Sequence, residues 1–218
     1  MISSAISNLP DLETDTWVKA SFDDLLILAE DTKFADAKFY YNEGYLRIEM
    51  PPIGSIHSQD NGIIYNIVSL YATIKNIRIK GLVNCSFRKA GVAECQPDLA
   101  FYLGSEFKLP PRTNSPIDLN EFSPPTLVIE IAVSSINDDL GRKRLLYERL
   151  GVQEYWVADT NTGDIIGFGI SQGRSGEIQE SQVLPGLTIA LVEEALQRSQ
   201  TQDDGEINRW LLQTFSQS

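Results

Sequence analysis

Two acids and one lysine stand where their neighbours are apolar. Asp98 lies in the strand-like run QPDLAFYLG, Glu130 in TLVIEIAVS, and Lys143 in the helix-like run NDDLGRKRLLYERLGV. In the second run Leu127, Ile129, Ile131 and Val133 fall on one face and Val128, Glu130 and Ala132 on the other. Both faces are apolar except at Glu130, as in a central strand covered on both sides. An isolated carboxylate there is costly unless it is paired, protonated or bound to a cation. Asp98 shares a face with Ala100 and Tyr102, while Leu99, Phe101 and Leu103 take the other. Pro97 lacks a backbone N–H and suits a strand start, so Asp98 is expected at a strand end. At roughly 100° per residue, Leu140, Lys143, Leu146, Tyr147 and Leu150 form one helical stripe, which puts a cation on a buried face. Arg142, Arg144 and Arg149 lie off it and read as surface charges.

Each of these residues has an ordinary reading too. Either acid can sit at a solvated edge or pair with an arginine, and the lysine can snorkel to water. As a set they have a definite chemistry. Paired carboxylates bind Mg²⁺ or Mn²⁺ through oxygen and leave room for a phosphate oxygen. A lysine beside them can orient a water or steady charge on phosphorus.

The elements that must position this set can be read from the pattern. SFDDLLILAED predicts a helix with Ser21 as N-cap and Asp24 three residues on. AKFYYNEGYLRIEM predicts a hairpin around Asn42-Glu43-Gly44, with Leu46, Ile48 and Met50 on one face and Tyr45, Arg47 and Glu49 on the other. PPIGS breaks the chain, and a helix follows through HSQDNGIIYNIVSLYATIKN with Ile63, Ile67 and Tyr71 on one stripe. Strands are predicted in IRIKGLVNCSFRKA, QPDLAFYLG and PTLVIEIAVS, and a hairpin in EYWVADTNTGDIIGFGI, where Tyr155 and Trp156 fill core space. Gly151 closes the helix that carries Lys143. Residues 104–124 read as a surface loop, and LVEEALQRS and EINRWLLQTF as helices. Hairpins plus at least one crossover predict an α/β (α+β) fold with a mixed central β-sheet flanked by helices.

Composition sets bounds. With 218 residues, one domain over 1–218 is expected, with a polar leader over about 1–15 and a helical tail over about 190–218. No apolar run has transmembrane length, so a cytoplasmic protein is expected. Cys85 and Cys95 are too few for a disulfide framework or a zinc site. The net charge of −12 counts against non-specific attraction to nucleic acid. Yet Lys75 to Arg112 holds seven basic residues against three acidic ones, and GRKRLLYER is a second basic knot.

The ordered set QPDLAFYL, LVIEIAVSS and DDLGRKRLLYERLGVQEYWVAD resembles the Uma-type putative restriction endonuclease family, a group abundant in cyanobacteria and part of the PD-(D/E)XK nuclease superfamily. The likeness extends through EGYLRIEMPP, the helix opened by His57, and VLPGL, and so covers nearly the whole chain. It implies a restriction-endonuclease-like fold with a Mg²⁺- or Mn²⁺-dependent phosphodiesterase site acting on DNA. Position by position it implies Asp98 and Glu130 as metal ligands and Asp98, Glu130 and Lys143 as the catalytic set. The lysine expected two residues after the acid is absent, since position 132 is Ala; Lys143, four residues before Tyr147, takes its place. An additional acid is expected at Glu49, with Glu43 behind it, and His57 and Tyr147 are further candidates. A homodimer is the simplest way to cut both strands. The competing expectation is a catalytically inactive binding or assembly protein on the same fold, which the net charge favours.

Overall fold

The structure is a computed structural model that describes residues 13–50 and 54–217. Most of the expected leader, and Pro51, Pro52 and Ile53 of the PPIGS break, lie outside these residues. After the short strand β1 (Val18–Lys19), helix α1 (Phe22–Ala29) begins at Ser21. The Asp24 N–H donates to Ser21 Oγ at 3.1 Å and the Ser21 N–H to the Asp24 carboxylate at 2.7 Å. These bonds satisfy two helix-end donors. Strands β2 (Lys38–Asn42) and β3 (Tyr45–Glu49) pair antiparallel through Glu43 and Gly44, whose φ angles are +51° and +80°. Two left-handed residues give a turn whose twist matches that of the strands.

Alternation then sorts this hairpin. Phe39, Tyr41, Leu46 and Ile48 pack under Leu25 and Leu28 of α1. That leaves Lys38, Tyr40, Arg47 and Glu49 on the opposite face, with Lys38 directly across from Glu49 and Tyr40 across from Arg47.

The expected mixed sheet is present, but the strands divide between two sheets rather than one. The first runs β1-β3-β2-β6-β5-β8, with β5 (Phe87–Lys89), β6 (Ala93–Cys95) and β8 (Ile117–Asp118). The second runs β12-β11-β10-β9-β7-β4. Its members are β4 (Ile79–Val83), β7 (Leu99–Leu103), β9 (Leu127–Ala132), β10 (Glu154–Asp159), β11 (Asp164–Ser171) and β12 (Arg174–Ile178). The run IRIKGLVNCSFRKA is therefore two strands in different sheets, broken where Asn84 turns left-handed at φ +49°. Strands β9 and β10 are parallel and the other pairs of the second sheet antiparallel. Their crossover is α3 (Ile136–Asp138), a π-helical turn (Asp139–Lys143) and α4 (Arg144–Leu150), which ends at Gly151 with φ +83°.

The second sheet is covered on both sides. Leu99, Phe101, Leu127, Ile129 and Ile131 meet the helices α2 (Ser55–Ile74), α5 (Ile189–Ser199) and α6 (Asp204–Gln217). Ala100, Tyr102, Val128 and Ala132 meet Tyr40, Phe87 and Cys95 of the first sheet and Leu146 and Tyr147 of α4. Glu130 alternates onto this second face, so its carboxylate enters the seam between the two sheets and α4. Among the described residues, no helix is long and apolar enough to cross a membrane.

Candidate active site

Asp98 immediately precedes β7 and is 3% exposed, so its charge must be met inside the protein. Its Oδ2 accepts the Ile131 N–H at 2.8 Å, which ties it to the residue after Glu130. Its Oδ1 pairs with the Lys38 ammonium, and His57 Nε2 lies 3.3 Å from the same oxygen. Burial pushes the Asp98 pKa up, but the His57 hydrogen bond and the Lys38 charge overcome it and hold the carboxyl below its usual range.

Glu130, 2% exposed, meets a different environment. Tyr147 O–H donates to its Oε1 at 2.6 Å, and the Tyr40 hydroxyl lies 3.1 Å from the same oxygen. The nearest ammonium, on Lys143, is 3.9 Å away. Burial raises its pKa to about 8, against the pull of Lys143 and with the help of Asp98 and Asp139. The Tyr40 hydroxyl is also 2.8 Å from the Gln96 carbonyl. Its single proton serves one acceptor; a protonated Glu130 can donate to Tyr40 while Tyr40 donates to Gln96.

Lys143 stands among acids. Its Nζ is 2.9 Å from the Glu49 carboxylate and 2.8 Å from Asp139 Oδ1, and it sits 4.1 Å from the centre of the Tyr40 ring. The π-helical turn places Asp139 and Lys143, four residues apart, on the same inward face. Burial lowers the ammonium pKa, but Glu130, Asp139 and Glu49 raise it further, so Lys143 stays charged. Glu49 is held in turn by Arg47 Nε at 2.6 Å, and Arg47 reaches Asp138 at 3.0 Å and the Asp15 carbonyl. Burial raises the Glu49 pKa and Lys143 and Arg47 more than offset that.

These groups line one cleft of about 70 Å³, walled by Lys38, Glu49, His57, Asp98, Glu130 and Lys143. The structure thus brings together Asp98, Glu130, Lys143 and Glu49, with His57 on Asp98 and Tyr147 on Glu130. Glu43 is elsewhere: it lies in the exposed hairpin turn, paired with Arg149 at 3.1 Å. Sequence reading missed Lys38, Tyr40 and Asp139. Lys38 and Tyr40 had a signal, since they alternate onto the same hairpin face as Arg47 and Glu49.

The donor chemistry suits a hard divalent cation, because carboxylate oxygens are its preferred ligands and Glu130 lacks a close positive partner. A ready-made cage is not what the side chains form. Among the described residues, no three His, Cys, Asp or Glu side chains converge as a metal-binding group. Ammonium groups neutralise the acids instead, with Lys38 on Asp98 and Lys143 on Glu49 and Asp139. A cation taking up Asp98 has to displace Lys38.

Two layers of evidence place the chain. Its fold is similar to that of a putative nuclease belonging to DUF820 from Anabaena variabilis, with a TM-score of 0.55 and 18% identity, covering 81% of this chain and 98% of that one. The Uma2 family profile, described as putative restriction endonuclease, matches residues 22–208, and the chain belongs to that family. No curated protein matches the sequence.

Proposed function

We propose that the protein is a Mg²⁺- or Mn²⁺-dependent endonuclease that hydrolyses DNA phosphodiester bonds at the Asp98–Glu130–Lys143 cleft. The observation that carries this reading is the convergence of two acids, one just before β7 and one within β9, with a buried ammonium from the following crossover. Family membership and the nuclease fold support it. Asp98 and Glu130 would hold the ion, which supplies Lewis acidity to a phosphoryl oxygen and to the attacking water. Lys143 steadies charge on the phosphate, and Glu49 and Asp139 fix its ammonium in place. Lys38, once moved off Asp98, has a free cation to offer the phosphate. A homodimer related by a two-fold axis would present two such sites to a duplex.

A second reading has its own support. The Lys38 and His57 contacts already satisfy Asp98, and a net charge of −12 opposes DNA, so an inactive binding or assembly protein fits the same fold. Plasmid nicking separates the two. Wild type incubated with Mn²⁺ or Mg²⁺ at low salt converts supercoiled plasmid to open circle, and EDTA stops it. Intact plasmid across varied metal and salt overturns the nuclease reading.

A further inference from the structure

The cleft does not end at Lys38 and His57. Both residues also wall a cavity of about 280 Å³ on their other side. Ser58, Asn61 and Asn84 carry that cavity onward into a groove of about 590 Å³ between the start of α2 and the turn after β4. These volumes reach into the range of about 300–1,000 Å³ typical of small-ligand sites.

The lining is amide-rich and nearly free of cations. Asn61, Asn84 and Gln96 stand around the inner cavity, and Gln59 and Asn66 line the outer groove. Beyond Lys38 and His57, its charged groups are Asp36 at one end and Asp204 at the other. Phosphates would be repelled there. Nucleobase edges would not be, because an amide offers both a donor and an acceptor, and Asn or Gln can bond an adenine edge at two points. Among the described residues, the Asn61 and Asn84 side-chain amides have no protein partner. Tyr65 adds an aromatic wall to the outer groove and packs tightly over Gly81, where a Cβ would come within 2.7 Å of its ring.

The groove is also in register with the acids. The Asn84 N–H donates to the Asp98 carbonyl at 3.0 Å, and Gln96 Nε2 donates to the Asn84 carbonyl at 3.2 Å. The Gln96 carbonyl lies 2.8 Å from the Tyr40 hydroxyl, which also touches Glu130. The turn that presents Asn84 is thus tied through the main chain to Asp98 and through Tyr40 to Glu130.

We infer that this groove receives unstacked nucleobases of the strand whose phosphate lies at the cleft, with Asn61 and Asn84 contacting the base edges. The inference rests on the nuclease reading and adds a substrate preference to it. A base enters only if it is unpaired or turned out of the stack, and that cost is least for single strands. Single-stranded or frayed DNA is the favoured partner.

The test is a binding measurement on the full chain carrying Glu130→Gln, which removes cleavage. Fluorescence anisotropy at low salt compares a labelled single-stranded oligonucleotide with the same oligonucleotide made abasic at its centre. Adding Asn61→Ala and Asn84→Gly, the latter keeping the left-handed turn, weakens binding of the base-bearing strand about tenfold or more. Abasic binding changes less than about twofold, since phosphate contacts are untouched. Asn61→Ala alone gives the same discrimination at smaller size. Equal losses on both strands, or no loss on either, overturn the groove and leave the nuclease reading standing. Wild type that binds neither strand in EDTA and nicks no plasmid in Mn²⁺ overturns both.

Discussion

Two glutamates on neighbouring strands of the same sheet, Glu130 on β9 and Glu154 on β10, are both buried and differently used. Glu154 is held by neutral donors at short range. Trp156 Nε1–H reaches its Oε1 at 2.7 Å, and the Gln182 and Val183 N–H groups reach its Oε2 at 2.7 and 3.2 Å. Fixed backbone dipoles satisfy it and pin the segment after β12 to the sheet. Glu130 is met by two tyrosine hydroxyls and an ammonium 3.9 Å away, and it faces a cleft shared with Lys38, Glu49, Asp98 and Lys143. Burial raises the pKa of both acids. What separates a structural acid from a candidate reactive one is therefore the kind of donor around it: close-set N–H groups leave nothing to exchange, while hydroxyls and a more distant ammonium leave room for a cation.

The largest effect expected from this contrast is on catalysis. Asp98→Asn lowers nicking per folded molecule by on the order of 10³-fold, about 4 kcal/mol of barrier, and also lowers the thermal transition, because Lys38 loses its buried partner. Next comes stability. Glu154→Ala orphans the buried Trp156 indole N–H and two part-buried backbone N–H groups and costs about 3 kcal/mol, while nicking per folded molecule is unchanged. A calorimetric melt alongside the nicking assay checks both, and a Glu154 variant that folds normally and cleaves nothing would erase the distinction. Lys143→Ala lowers nicking about 100-fold and spares Mn²⁺ binding; loss of the ion as well would show that the lysine organises the acids rather than the phosphate.

Smaller effects sharpen the picture. Between the ordinary carboxylate range and about pH 8, folded Glu130 keeps its proton while the unfolded chain releases it. Stability therefore falls as pH rises through that window. Asp98, held low, contributes in the opposite sense, and its share is lost as pH falls through the acid range. Denaturant titrations from pH 5 to 8 should show the decline in wild type and a flatter line in Glu130→Gln. Lys38→Met removes the ammonium that an ion must displace and tightens Mn²⁺ binding about tenfold.

The sequence displayed much of this because alternation and helical periodicity report burial directly. Glu130 broke a two-sided apolar strand, Lys143 broke an apolar stripe, and Asp98 followed a proline at a strand start. The capping box at Ser21 and the turn at Glu43-Gly44 have local causes and were legible for that reason. The division into two sheets was not, because strands of two and three residues such as β8 and β6 are too short to show a period. Glu154 also escaped, since its partners come from the segment near Gln182, far along the chain. Asp139 interrupts no apolar pattern in the sequence, and only the π-helical turn places it inward beside Lys143.

The contrast between the two glutamates comes to a head in one calorimetric experiment, Mn²⁺ titrated into wild type, Glu130→Gln and Glu154→Gln at one pH near 8. Wild type and Glu154→Gln should each bind an ion with similar affinity, and Glu130→Gln should give no heat above dilution. Equal binding by all three chains, or none by wild type, would contradict the assignment of Glu130 and its cleft as the metal-binding site.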